Sequence, residues 1–169
     1  MKVLTEGDLQ ITLPVSATGR KFDNGATHGL THCMKAVDFV VELDDRILFI
    51  EFKDPDDPAA VAERQQLFMK EFRSGVLDNE LKAKYRDSFL YEWGAGRATK
   101  PVYYLVLIAA SALSEAELLT RTAALRRQIP VLGPENKPWK KPFISGCAVM
   151  NINTWNKNLS QYPVSRLSA

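Results

Sequence analysis

Apolar and polar positions alternate in short runs along the first third of the chain, whereas from residue 57 onward stretches with a three-to-four-residue repeat take over, interrupted by further apolar runs. LQITLP predicts a strand, and PVSATGRKFDNGATHG reads mostly as loop with a short strand at RKFD. From Ala36 to Phe52, two β-branched and aromatic runs flank Asp44 and Asp45, which predicts a hairpin. Next comes a helix with Asp57 as N-cap, Pro58 at its first position and Gly75 just past its end. VLDNELKAKYRDSFLYEW predicts a second helix, with Leu77, Leu81, Tyr85, Phe89 and Trp93 recurring every four residues as core positions. VYYLVLIA reads as a strand covered on both faces. SEAELLTRTAALRRQIP reads as a helix opened by a capping box of Ser114 and Glu117. A strand at FISGCAVMNI and a short helix from Thr154 to Leu159 complete the pattern.

These elements predict an α/β fold: a single three-layer-like α/β sandwich with a mixed central β-sheet. No internal repeat or linker divides the chain, so residues 1–169 read as one domain. With 46% hydrophobic and 25% charged residues the composition is that of a globular chain, and a net charge of +2 leaves room for a basic groove without announcing one. Cys33 and Cys147 have no CxxC partner and read as reduced, buried thiols rather than zinc ligands. The opening residues lack a signal-peptide core, and VYYLVLIAA is too short to span a bilayer, so a cytoplasmic location is expected.

The hairpin raises the chemical question. A two-residue turn at Asp44 and Asp45 pairs Val41 with Leu48 and sets Asp38 directly opposite Glu51, with Lys53 on the same face. The other face, with Val37, Phe39, Val41, Leu48, Ile50 and Phe52, is wholly apolar, as packing on a helix would require. Two like charges side by side need compensation, which a divalent cation such as Mg2+ or Mn2+ would supply. A lysine one position along the face would orient the attacking water and stabilise charge on a phosphate.

Asp38 followed by Glu51-Phe52-Lys53 resembles the motif of the PD-(D/E)XK nuclease superfamily, over roughly residues 36–110. The resemblance implies a restriction-endonuclease-like fold and Mg2+-dependent phosphodiester hydrolysis, with DNA as the expected substrate. It makes Asp38, Glu51 and the Phe52 carbonyl the metal ligands, and gives Lys53 the attacking water. Val37 stands where the motif's name has proline, and no helix is evident before Asp38, where Glu6 and Asp23 are the candidates for a further acid. The family's first helix after the motif often supplies a residue near the metal; here that is Gln65, an amide on the stripe Val61, Gln65, Phe68, Phe72. A small domain of this kind would take a homodimer or a partner subunit to choose its target.

Other readings stand beside these. The triplet is common, and the same fold would serve as an inactive scaffold or nucleic-acid-binding subunit with the triad surviving as an ion network. His28 and His32 are phosphate contacts or ordinary structural histidines. Lys137, Lys140 and Lys141 around Trp139 form a nucleic-acid grip or a solvated loop with one anchor. Lys82 and Arg86 share one face of the second helix, with Lys84 and Arg97 nearby in sequence, and this charged flank reads as the helix's wet side.

Overall fold

The computed structural model describes residues 1–129, 133–137 and 139–168; Pro130, expected at the end of the third helix, and Pro138, in the lysine-rich loop, lie outside them. Five strands form the central sheet in the order β3 (Thr18–Lys21), β4 (Phe39–Glu42), β5 (Ile47–Lys53), β6 (Val102–Ile108) and β7 (Gly146–Met150). The first three run antiparallel, while β5, β6 and β7 are parallel, so the sheet is mixed. The crossovers between parallel strands carry α2 (Ala62–Ser74) and α3 (Leu77–Gly94), then α4 (Glu115–Gln128).

The helices cover one face of the sheet. Phe72, Leu77, Leu81, Tyr85, Leu118 and Leu125 bury against Val40, Phe49, Tyr104, Val106 and Val149. The other face packs on a second, antiparallel sheet ordered β1 (Lys2–Glu6), β2 (Leu9–Leu13) and β8 (Val164–Arg166), together with the short α5 (Ile152–Asn158). Phe39, Val41, Leu48, Ile50 and Phe52 lie on this side, so the all-apolar face of the hairpin meets a sheet rather than the expected helix. The two sheets approach closely at Gly19, where a Cβ would collide with Leu13 and stand 2.9 Å from Leu4 Cδ1.

The expected hairpin register holds: Phe39 pairs with Ile50 and Val41 with Leu48, and Leu43 donates to the Arg46 carbonyl across the Asp44-Asp45 turn. The Ser114 and Glu117 capping box is present. The first long helix starts at Ala62 instead of Pro58, because Asp57 caps only a single turn, accepting from the Ala59 and Ala60 amides. Trp93 is 63% exposed, outside the core expected of its stripe, and Cys33 is exposed in the turn after α1 (Gly25–His28) while Cys147 is buried. Among the described residues no helix is long and apolar enough to cross a membrane.

Candidate active site

Glu51 and Lys53 close the C-terminal end of β5, the edge at which α/β sheets ordinarily receive ligands. Asp38 sits one residue before β4, and the register brings it to Glu51 on the helix-covered face. Its carboxylate is fixed: Asp38 Oδ2 accepts from the Phe52 N–H at 2.6 Å, and the Asp38 carbonyl accepts from the Phe22 N–H at 2.7 Å. A strand residue's N–H and C=O point to the same edge, so the Phe52 carbonyl also faces the Asp38 side. Val37 turns to the helix side as well, against expectation, because strand pairing begins only at Phe39 and the Val37 N–H donates to Ser88 Oγ at 3.0 Å.

Glu51 is fully buried and Asp38 is nearly so. Sequence reading missed what stands beside them. Lys84, assigned to the wet flank of α3, reaches inward with its Nζ 2.7 Å from Glu51 Oε1, 3.6 Å from Asp38 Oδ1 and 3.7 Å from Asp23 Oδ2. The signal was available: Lys84 lies seven residues after Leu77 and three after Leu81, on the buried stripe that continues to Ser88. Lys53 Nζ is 3.1 Å from Glu51 Oε1 and 2.7 Å from Glu80 Oε1, a second α3 residue not anticipated. The like-charge problem is thus met by two ammonium groups of the chain itself. Even so, Glu51 Oε2 has no hydrogen-bond partner among the described residues, and Oε1 has only the undirected contacts of the two lysines.

The electrostatics follow. Burial pushes the Glu51 carboxyl up to about 7, the Asp38 charge adds to this, and Lys84 and Lys53 oppose it. Burial likewise raises Asp38 to about 6, against Lys84 and the Phe52 N–H. For both lysines burial alone would favour the neutral amine, but the surrounding carboxylates outweigh it and hold each ammonium above its ordinary value. At neutral pH the lysines are therefore charged, while the two acids share protonation between them.

Lys53 and Glu80 open onto a cavity of about 700 Å³, whose far wall is α2 with Gln65 and Phe68. Gln65 lines this cavity, although Val61 at the start of its stripe is exposed. The segment after Lys53 is tied down by Arg166, which grips Asp54 at 2.7 and 2.8 Å, and by Asp56, which accepts from the Ser111 N–H at 2.7 Å. Of the upstream acids, Asp23 joins the group through Lys84, whereas Glu6 pairs with Lys21 at 2.7 Å.

The remaining candidates lie elsewhere. His28 is buried with its ring against Phe22 and Tyr91, and its Nδ1 accepts from the Leu30 N–H, a structural placement. His32 is exposed in the turn that follows. Trp139 and Lys141 line a second cavity beside Val102 and Ser145, at the opposite end of β6 and β7 from the carboxylates, with Lys137 and Lys140 exposed nearby. Among the described residues no group of three or more His, Cys, Asp or Glu is arranged to hold a metal, so the acid pair and a carbonyl are the oxygen donors on offer. Comparison of the chain with protein-family models, curated proteins and solved structures gives no match in any of the three.

Proposed function

We propose that this protein is a metal-dependent nuclease with a restriction-endonuclease-like core, hydrolysing phosphodiester bonds, with DNA as its substrate. The observation that carries the reading is the juxtaposition of Asp38, one residue before β4, with Glu51 of β5, both buried and Glu51 incompletely satisfied, with Lys53 at the mouth of a large cavity. An under-satisfied buried acid beside a cleft is costly to a fold unless a ligand completes it. The donor set fits a hard cation that keeps several waters, as Mg2+ does: Asp38 Oδ1, a Glu51 oxygen and the Phe52 carbonyl would hold it. Bound there, such an ion would supply Lewis-acid stabilisation of the phosphate's developing charge.

The chain's own residues supply the rest. Lys53, held as an ammonium by Glu51 and Glu80 in the ion-free protein, would orient the attacking water and pair with phosphate oxygens. Glu80 holds that ammonium toward the cavity. Gln65 lines the opposite wall and would donate an amide N–H to the phosphate backbone. Lys84 neutralises the acid pair in the absence of a cation and has to withdraw when one enters.

That role of Lys84 also favours a second reading, a scaffold or nucleic-acid-binding subunit in which the ion network is complete in itself. Hydrolysis of supercoiled plasmid, linear duplex, and single-stranded DNA and RNA with Mg2+ or Mn2+ separates the two, with Asp38→Ala and Lys53→Ala as controls. Cutting by the wild type and not by either variant supports the nuclease. Folded wild type that neither cuts nor takes up Mg2+ in calorimetry supports the scaffold.

A further inference from the structure

The second cavity, about 680 Å³, has a construction that the proposed hydrolysis does not use. Its floor is an aromatic column rooted in the core: Tyr104 packs on Tyr85 at 5.1 Å, Tyr85 on Phe143 at 5.2 Å, and Phe143 on Phe89 at 4.7 Å. Tyr85 also donates its hydroxyl proton to the Phe143 carbonyl at 2.6 Å, which fixes the loop that carries Phe143. Two indoles flank the opening, Trp93 at 63% exposure and Trp139 at 46%.

Trp139 is exposed without being loose. An edge of its ring meets Phe143 at 6.1 Å, and its carbon skeleton lies over Gly133, where a Cβ would stand only 2.8 Å from the ring. Glycine at position 133, with its positive φ of 76°, is what lets the indole lie there. A half-exposed aromatic ring already held in place stacks on a ligand at little cost in conformational entropy.

Charge selects the ligand. Lys100 and Lys141 line the cavity with the hydroxyl-bearing Thr99 and Ser145, and none of its described lining residues is acidic. Lys100 is partly spent on Glu42 at 2.7 Å, but Lys137 and Lys140 add exposed positive charge on the same loop as Trp139. An apolar peptide would need the aromatic surface and not the lysines, and a free inorganic anion would need the lysines and not the indoles. A flat aromatic group attached to a phosphate uses both.

We infer that this cavity is a binding site for an unstacked base of single-stranded nucleic acid, with neighbouring phosphates on the lysine-rich loop. Val102 at the cavity and Val106 level with Glu51 lie four residues apart on β6, so the site is roughly 13 Å along the strand from the carboxylates at about 3.3 Å per residue. A strand gripped here would be held along α3, away from the reacting bond. The inference borrows from the nuclease reading only the class of ligand.

The test is titration of the full chain, in EDTA so that no cutting occurs, with oligothymidylate about a dozen nucleotides long. Tryptophan quenching and the anisotropy of a labelled oligonucleotide are the readouts. Saturable quenching is expected, with binding about tenfold or more weaker in Trp139→Ala and in Trp93→Ala. Lys140→Glu combined with Lys141→Glu should weaken binding and flatten its salt dependence. Circular dichroism confirms folding, and the surface lysine pair provides a test should a tryptophan variant misfold. Equal affinity in the folded tryptophan variants, equal affinity for a duplex or for polyphosphate, or no quenching at all would each overturn the inference. Because binding is read without metal, its failure is distinct from a failure to cut.

Discussion

Glu51 and Glu92 are the same residue type and almost equally hidden, at 0% and 2% exposure, yet the protein treats them in opposite ways. Glu92, near the end of α3, is held by guanidinium forks: Arg97 donates to both of its oxygens at 3.0 and 2.9 Å, and Arg20 contacts it from β3. Burial would raise its carboxyl, but those hydrogen bonds outweigh burial and hold it below its ordinary value. Glu51 has compact ammonium groups in place of forks, a second carboxylate beside it, and one oxygen with no partner among the described residues. Burial is common to both acids, so burial alone does not mark a site; incomplete satisfaction does.

The widest separation between them should appear in activity. Glu51→Gln removes a proposed ligand and is expected to lower hydrolysis by about a hundredfold or more while leaving the fold intact. Glu92→Gln strips a counter-charge from two half-exposed arginines and should cost about 2 kcal/mol of stability with the rate per folded molecule unchanged. Plasmid cleavage and urea melts of both variants check this. A Glu92 variant that folds well and cannot cut would erase the distinction.

Titration should separate them next. Asp38 and Glu51 have folded values raised above their unfolded ones, so in the ion-free protein they add stability below about pH 4 that is lost as pH rises through about 6 and 7. Glu92 has the opposite sign, stabilising above its ordinary carboxylate range and failing as pH falls through its lowered value. Urea denaturation in EDTA should therefore show stability falling from pH 5 to pH 8 by on the order of 3 kcal/mol. Glu51→Gln should flatten that slope and Glu92→Gln should leave it. A wild-type profile rising over the same window would contradict the environment described for Glu51.

Lys84 sharpens the comparison because it is the group that stands in for the missing fork. Lys84→Met leaves the acid pair without its nearest positive charge, so the ion-free protein should lose stability at pH 8 and regain it on addition of Mg2+. Calorimetry should show Mg2+ bound about tenfold more tightly, since no ammonium has to be displaced. Unchanged or weaker affinity would make Lys84 a support for the acids rather than their placeholder.

How much of this was legible in the sequence depends on whether a contact is local and whether charge hides it. The hairpin register was legible because its turn is two residues long and both strands bury a face, so a slip would expose Phe39 and Ile50 together. Asp38, Glu51 and Lys53 followed from that register. Strand β1 was not read, although Gly7 at φ 56° makes its turn into β2, because its residues are largely exposed and give little alternation. Strand β8 has three residues and pairs with β2 from the far end of the chain, beyond any local signal. Lys84 was misassigned because a charged residue on an amphipathic helix ordinarily marks the wet side; its stripe position said otherwise, and the partners that make burial tolerable, Glu51 and Asp38, are thirty or more residues away.

The finest test lies at Glu80, which gives Lys53 the one well-directed hydrogen bond that Glu51 does not. Glu80 is 39% exposed, so its pair with Lys53 is screened and worth less than about 1 kcal/mol. Glu80→Gln keeps an acceptor oxygen but removes the charge, which frees the ammonium to lean further toward Glu51. Hydrolysis should fall by less than about fivefold, and the midpoint of the stability profile should move little. In Glu51→Gln the same change should matter more, because Glu80 is then the only carboxylate in contact with Lys53 among the described residues, and the two effects on the apparent pKa of the Lys53 amine should be non-additive. A double-mutant cycle on that pKa, followed by NMR of the labelled lysine, reads the coupling directly. Strict additivity would mean that Glu51 and Glu80 do not share Lys53, and the charged end of β5 would have to be rebuilt as two separate pairs.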